Sequence, residues 1–167
     1  MKLLIVSDSH GMADRLKSIV DQVQPEHILH CGDFCTELEE LPKQSITYVE
    51  GNCDFANAPR ETIWEGEDWR VFLTHGHRYQ VNTTLLPLRY RGEEEQAQLI
   101  CYGHTHIPFC EQNNGILIMN PGSISSPRGG FPYPSYVIAD LQPAQIDIHY
   151  YRVDGQPISQ LGGQFQK

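Results

Sequence analysis

No apolar run in this sequence is long enough to cross a bilayer. The longest, such as Leu3 to Val6 and Ile116 to Met119, fall far short of the ~20 residues a membrane helix needs. Basic side chains are also scarce: 12 Lys and Arg stand against 21 Asp and Glu, giving a formal net charge of −9. That balance opposes a general affinity for duplex nucleic acid, which depends on clustered cations, and no such binding is expected. It does not exclude a small phosphorylated substrate, because bound cations would reverse the local field. Cysteine is neither abundant nor even in number. Cys31, Cys35, Cys53, Cys101 and Cys110 make an odd set of five, which argues against a secreted disulfide scaffold. Cys31 and Cys35 stand four apart rather than in a CxxC pair, and Cys31 and Cys101 close apolar stretches where small buried thiols are expected. The compartment expected is therefore reducing, the cytoplasm. No cleavable leader is expected either, since Met1-Lys2 runs straight into an apolar strand. Repeats, low-complexity tracts and linkers are missing too, so residues 1–167 read as one domain.

What is present is a strand–helix–strand opening. Lys2 to Ser7 is a short aliphatic run that breaks at Asp8-Ser9-His10-Gly11. Leu16, Ile19, Val20 and Val23 then share one helical face, and Pro25 ends the pattern. His27 to Cys31 and Ile46 to Glu50 read as further strands, broken at Gly32-Asp33 and Gly51-Asn52-Cys53-Asp54. Val71 to Thr74 and Leu99 to Tyr102 read as strands too, with a loop and a helix around Glu93 to Gln98 between them. Ile116 to Met119, Ser135 to Leu141 and Ile146 to Val153 predict a β-rich, partly antiparallel finish. The class is α/β.

The chemistry lies in where the polar residues fall. Five times an apolar strand ends, and each time Asp, Asn or His follows beside glycine: Asp8-Ser9-His10-Gly11, Gly32-Asp33, Gly51-Asn52-Cys53-Asp54, Thr74-His75-Gly76 and Gly103-His104-Thr105-His106. Sites in open α/β sheets form beyond the carboxyl ends of the strands. Brought together, these ends offer two carboxylates, one amide and four imidazoles. Mixed nitrogen and oxygen donors suit manganese, iron, nickel or zinc rather than calcium. Seven donors exceed the needs of one ion, whereas two ions about 3.5–4 Å apart and sharing a carboxylate would use them all.

The ordered set D-x-H, G-D, G-N-x-D, H-G-H and G-H-x-H resembles the calcineurin-like metallophosphoesterase superfamily, and the short chain with its GNCD variant resembles the small YfcE-type phosphodiesterases, relatives of the retromer subunit Vps29. The likeness runs from Lys2 to about Val153 and includes Asn120-Pro121-Gly122-Ser123. It implies a four-layer α/β/β/α sandwich with two mixed β-sheets. It also implies two divalent ions, manganese foremost with nickel, iron or zinc as alternatives. Asp8, His10 and His106 would hold the first, Asn52, His75 and His104 the second, and Asp33 both. A hydroxide shared by the ions would attack phosphorus in line, with His10, Asn52 and Cys53 at the reacting group. The substrate implied is a small phosphodiester, and relatives of this size suggest a homodimer or homotetramer. A non-catalytic, Vps29-like binding scaffold is the rival reading.

One departure bears on specificity. Many superfamily members carry histidine where this chain has Cys53, and a neutral thiol is a poor proton donor to an alkoxide. Diesters with good leaving groups are therefore expected over alkyl monoesters. Of the remaining polar residues, His77 reads as a cleft or turn residue, and His27, His30 and His149 as strand imidazoles. Asp54 reads as a support for the ligands. Arg128, in the Gly- and Pro-rich loop 125–134, is open to a phosphate or to a surface ion pair. Phe131, Tyr133 and Tyr136 are open to an oligomer contact or to local packing.

Overall fold

Residues 1–167 are described by a computed structural model. The first strand, β1 (Lys2–Val6), sets the architecture. Its alternate residues enter two separate buried clusters, Leu3 and Ile5 in one, Leu4 and Val6 in the other. A strand that is apolar on both faces belongs to a sheet covered on both sides. Leu4, Val6 and Ile28 pack against Leu16, Ile19, Val20 and Val23 of α1 (Ala13–Val23), the helical face read from the sequence. Gln24, with φ 49°, ends the helix one residue before Pro25.

The first sheet continues through β2 (His27–His30) and β3 (Ile46–Tyr48), both parallel to β1. The second contains β4 (Glu61–Gly66), β5 (Trp69–Thr74), β6 (Leu99–Cys101), β7 (Phe109–Asn113) and β8 (Ile116–Asn120) in the order β4-β5-β6-β8-β7. Here β5, β6 and β8 run parallel. The chain then returns to the first sheet with β9 (Ser135–Gln142), β10 (Gln145–Arg152) and β11 (Pro157–Gln166), for an order of β11-β10-β9-β1-β2-β3. Each of these three is antiparallel to its neighbours.

The sheets face each other across one apolar layer, in which Leu3, Ile5 and Leu29 meet Val71, Leu73, Leu99, Cys101, Leu117 and Met119. Phe72, Ile100 and Ile118 point the other way, onto Leu88 of α2 (Leu86–Glu94). The layers therefore run α1, first sheet, second sheet, α2, the expected sandwich. No helix is long and apolar enough to cross a membrane.

Three strands escaped the sequence reading, and one helix was misplaced. The helix expected at Glu93–Gln98 ends there instead: α2 starts at Leu86 with Pro87 in its first turn, where proline's missing N–H costs nothing. Glu93 and Glu94 form its last turn and Glu95 its exit, with Gln96 at φ 56°. Strand β4 alternates only half-buried residues, and its hairpin turn uses Glu67 and Asp68 at φ 51° and 64° rather than an Asn-Gly signal. Strand β7 is largely half-buried and β11 mostly exposed, and neither has an apolar alternation to announce it.

Candidate metal centre

The two parallel triplets bring their carboxyl ends to one edge of the sandwich. Asp8 and His10 follow β1, Asp33 follows β2, Asn52 follows β3, His75 follows β5, and His104 and His106 follow β6. Five of these seven sit in the left-handed backbone region: Asp8 at φ 52°, His10 at 42°, Asp33 at 55°, His104 at 67° and His106 at 60°. Non-glycine residues there cost about 1 kcal/mol or more each, and such strain gathers at functional sites. Two motif glycines allow the close approach. A Cβ on Gly103 would lie 2.0 Å from Ser7 Oγ, and one on Gly51 would lie 2.0 Å from Asp33 Oδ1.

Five of the seven side chains converge directly, and the His104–Asn52 pair stands beside them, the His104 ring 5.3 Å from that of His75. Asp8 Oδ1 lies 3.1 Å from His106 Nε2, 3.7 Å from His10 Nε2 and 3.8 Å from His75 Nε2. Asp33 Oδ2 lies 3.4 Å from His75 Nε2 and 3.7 Å from His10 Nε2, between the two halves of the cluster. On the exposed side, His104 Nδ1 is 2.9 Å from Asn52 Oδ1. Groups able to hold an ion include Asp8–His10–His106 and Asp8–Asp33–His75.

Hydrogen bonds decide which atoms face inward. His75 Nδ1 donates to the carbonyl of Cys31 at 2.7 Å, and His106 Nδ1 donates to that of Ser126 at 2.6 Å. A carbonyl can only accept, so each ring keeps its lone pair on Nε2 in the neutral form, the tautomer that binds metals. Asp8 Oδ2 accepts from Ser7 Oγ at 2.5 Å and from the His104 N–H at 3.1 Å. Asp33 Oδ1 accepts the Cys53 N–H at 2.8 Å. What remains, Asp8 Oδ1 and His75 Nε2, is fully buried and has no hydrogen-bond partner. At His75 and His106 acceptor nitrogens thus face the acceptor Asp8 Oδ1, an arrangement that costs free energy unless a cation lies among them. The donor set fits divalent metal ions.

The same convergence sets the charge states. Burial alone would raise the Asp8 carboxyl, but His10, His106 and His75 hold it far below the ordinary carboxylate range. Burial likewise opposes ionisation of Asp33, yet His75 and the Cys53 N–H bring it to about 2. His75 rises despite its burial, because Asp33 and Asp8 face it.

Residues outside the seven hold the loops in place. Asp54 accepts backbone N–H groups from Asp33 at 2.8 Å, Gly51 at 2.7 Å and Cys35 at 2.7 Å, the supporting role expected of it. Asn120 donates to the Gly103 carbonyl at 2.8 Å, and Ser123 and Ser125 both donate to the Asp8 carbonyl at 2.8 Å. These serines were not anticipated as site residues. Their signal was present, since Asn120 ends a sixth parallel strand in the same manner, at Asn beside Pro-Gly. Cys35, also unanticipated, places Sγ 3.5 Å from His10 Nδ1. His77 sits with its ring 5.4 Å from that of His75, outside the convergent set. His27 is satisfied by Ser45 and Thr47, as a strand imidazole should be.

His30 is the other buried strand imidazole, and it carries a pH prediction. Its Nδ1 accepts the Gly32 N–H at 3.2 Å, so its Nε2–H donates to Ser9 Oγ at 2.9 Å. Burial lowers it from 6.5 to about 4. Above pH 6.5 the ring is neutral in both folded and unfolded chains. Between 6.5 and 4 only the unfolded chain takes up the proton, so stability falls; below 4 the contribution is constant. At about 1.4 kcal/mol per unit this is worth about 3 kcal/mol. The stability gap between wild type and His30→Gln, measured by urea unfolding across pH 7 to 4, is expected to shrink by that amount. A gap independent of pH would refute the assignment.

The fold and this edge of it place the chain in a known class. Residues 1–144 match the calcineurin-like phosphoesterase superfamily domain, and the chain belongs to that family. It is 37% identical over 164 residues to the probable metallophosphoesterase YsnB of Bacillus subtilis (strain 168), covering 96% of each protein. It is 31% identical over 170 residues to the phosphodiesterase YfcE of Escherichia coli (strain K12), covering 84% of this chain and 88% of that one. Among solved structures, a conserved Streptococcus pneumoniae TIGR4 protein, described as a predicted phosphoesterase, superposes with a TM-score of 0.87 at 29% identity, covering 99% and 97% of the two chains. A Vps29 structure from Entamoeba histolytica superposes with a TM-score of 0.79 at 20% identity over 100% and 99%, a likeness of fold alone.

Proposed function

We propose that residues 1–167 form one domain that hydrolyses small phosphodiesters with two divalent ions, manganese foremost and nickel, iron or zinc also suited. The observation that carries this reading is the convergence of Asp8 Oδ1 and Asp33 Oδ2 with the Nε2 atoms of His75 and His106, whose protons are held on Nδ1 by backbone carbonyls. Asp8, His10 and His106 would hold one ion, and Asn52, His75 and His104 the other, with Asp33 serving both. When bound, the ions would supply a nucleophile at neutral pH and neutralise charge developing on the phosphoryl oxygens. The chain's own part is to fix the donors. The carbonyls of Cys31 and Ser126 lock two imidazoles, and Asp54 ties the Asp33 loop to the Asn52 loop.

Cys53 sets the preference among esters. It is exposed at the rim, and desolvation together with Asp33 raises its thiol above the usual range. A neutral thiol brings no positive charge to a departing alkoxide, so substrates with stable leaving groups are favoured. Cys53→His supplies that proton and is expected to raise turnover of an alkyl phosphomonoester by about 10-fold or more, within the range of general acid catalysis. An unchanged monoesterase rate would contradict the role given to Cys53.

The deciding experiment is hydrolysis of bis-p-nitrophenyl phosphate by metal-stripped protein, with and without Mn²⁺, beside Asn52→Ala. Metal-dependent turnover that the variant lacks supports the proposal. A folded protein inert with manganese, nickel, iron and zinc would instead favour a Vps29-like binding scaffold, for which the shared fold leaves room.

A further inference from the structure

We infer that Cys53 is a conditional eighth ligand: its sulfur joins the centre when a thiophilic ion such as zinc or cobalt occupies it, and stays a free thiol with manganese. The inference rests on the proposed metal centre and adds a residue to it. One donor atom each from His10, Asp33 and Cys53 lie within 4.8 Å of one another. Donors around a tetrahedral zinc stand about 3.3–3.8 Å apart, given bonds of about 2.0–2.3 Å, so closure by about 1 Å completes the set. The Cys53 backbone is held, since its N–H donates to Asp33 Oδ1 at 2.8 Å, while its side chain is exposed and packs into no core.

Asn52 orients the sulfur. Its Nδ2 donates to Cys53 Sγ at 3.3 Å while its Oδ1 lies 2.9 Å from His104 Nδ1, so one amide addresses the thiol and the opposite half of the centre together. The other nearby thiol is placed differently. Cys35 Sγ lies against His10 Nδ1, and the Nε2 side of that ring faces Asp8 and Asp33.

On binding, the S–H bond breaks, a sulfur–metal bond forms, and the proton leaves to solvent. Thiolate prefers zinc, cobalt and iron to manganese, and each further protein donor on an ion closes a position that a substrate oxygen needs. Cys53 therefore sorts metals: soft ions bind more tightly and turn over less.

Cobalt tests this without reference to activity. The full-length metal-stripped protein is titrated with Co²⁺ and its absorption spectrum recorded for wild type, Cys53→Ser and Cys35→Ala. A near-ultraviolet sulfur-to-cobalt charge-transfer band in wild type and Cys35→Ala, lost in Cys53→Ser while the visible ligand-field bands persist, supports the inference. Zinc affinity should fall at least about 10-fold in Cys53→Ser, with manganese affinity unchanged. Ligand-field bands without a charge-transfer band, or a band that disappears with Cys35 instead, would overturn the inference and leave the metal centre standing. No cobalt bands at all would overturn both.

Discussion

Asp33→Asn is expected to abolish manganese-dependent hydrolysis of bis-p-nitrophenyl phosphate, lowering kcat by about 1,000-fold or more while the protein stays folded. Asp33 Oδ2 is the oxygen placed between the halves of the centre, 3.4 Å from His75 Nε2 and 3.7 Å from His10 Nε2. An amide there removes the negative charge that the two proposed ions would share and, in one rotamer, would turn N–H groups toward them. A metal ion contributes several kcal/mol of charge stabilisation, and about 4 kcal/mol corresponds to roughly 1,000-fold in rate. The fold is spared because asparagine keeps an Oδ1 to accept the Cys53 N–H now held at 2.8 Å. Metal analysis separates the causes of any loss: manganese content should fall below two ions per chain, with an unchanged far-UV spectrum. Turnover within tenfold of wild type would show that Asp33 does not serve both ions.

The parts of this centre legible in the sequence were those that a strand end announces. Asp8, Asp33 and His75 each follow an aliphatic run, and parallel strands in two facing sheets bring such ends to one edge. Motif spacing therefore reached the cluster before any contact was known. Support from distant segments was harder to read. Ser123 and Ser125 bond the Asp8 carbonyl across more than 100 residues of chain, and the only sequence signal for them is the strand end at Asn120-Pro121-Gly122 just before. Cys35 was judged by its spacing to Cys31, yet its contact is with His10, set by a left-handed backbone at φ 53°. The misplaced helix has a related cause. Pro87 reads as a breaker until it is known to lie in a first turn, and Gly92 weakens the helical pattern just where it packs on Ile100. At Gly92 tertiary contact overrode local propensity.

Asp54→Ala should be the most damaging change outside the ligands themselves. Asp54 was read from the sequence as a support, and the structure shows why one carboxylate holds two loops. Its oxygens accept the N–H groups of Asp33, Gly51 and Cys35 at 2.7–2.8 Å, adding to the Cys53 N–H bond to Asp33 Oδ1 that also joins these loops. Two of those segments lie in left-handed conformations, Asp33 at φ 55° and Cys35 at φ 53°, which persist only while something holds them. A charged hydrogen bond contributes about 1.5–3 kcal/mol. Three together, reduced because Asp54 is half-exposed, should make the variant less stable by about 3 kcal/mol, measured by urea unfolding of the metal-free protein. Losing the hold also moves Asp33 and Asn52 relative to each other, so metal affinity should fall by about 10–100-fold, the usual effect of removing a group that orients a ligand. Asp54→Asn discriminates structure from charge, since it keeps an acceptor for part of this set and should fall between alanine and wild type in both measurements. Manganese affinity left intact in Asp54→Ala, alongside the stability loss, would mean that the loops are held by the ligand contacts themselves and that Asp54 serves the fold alone.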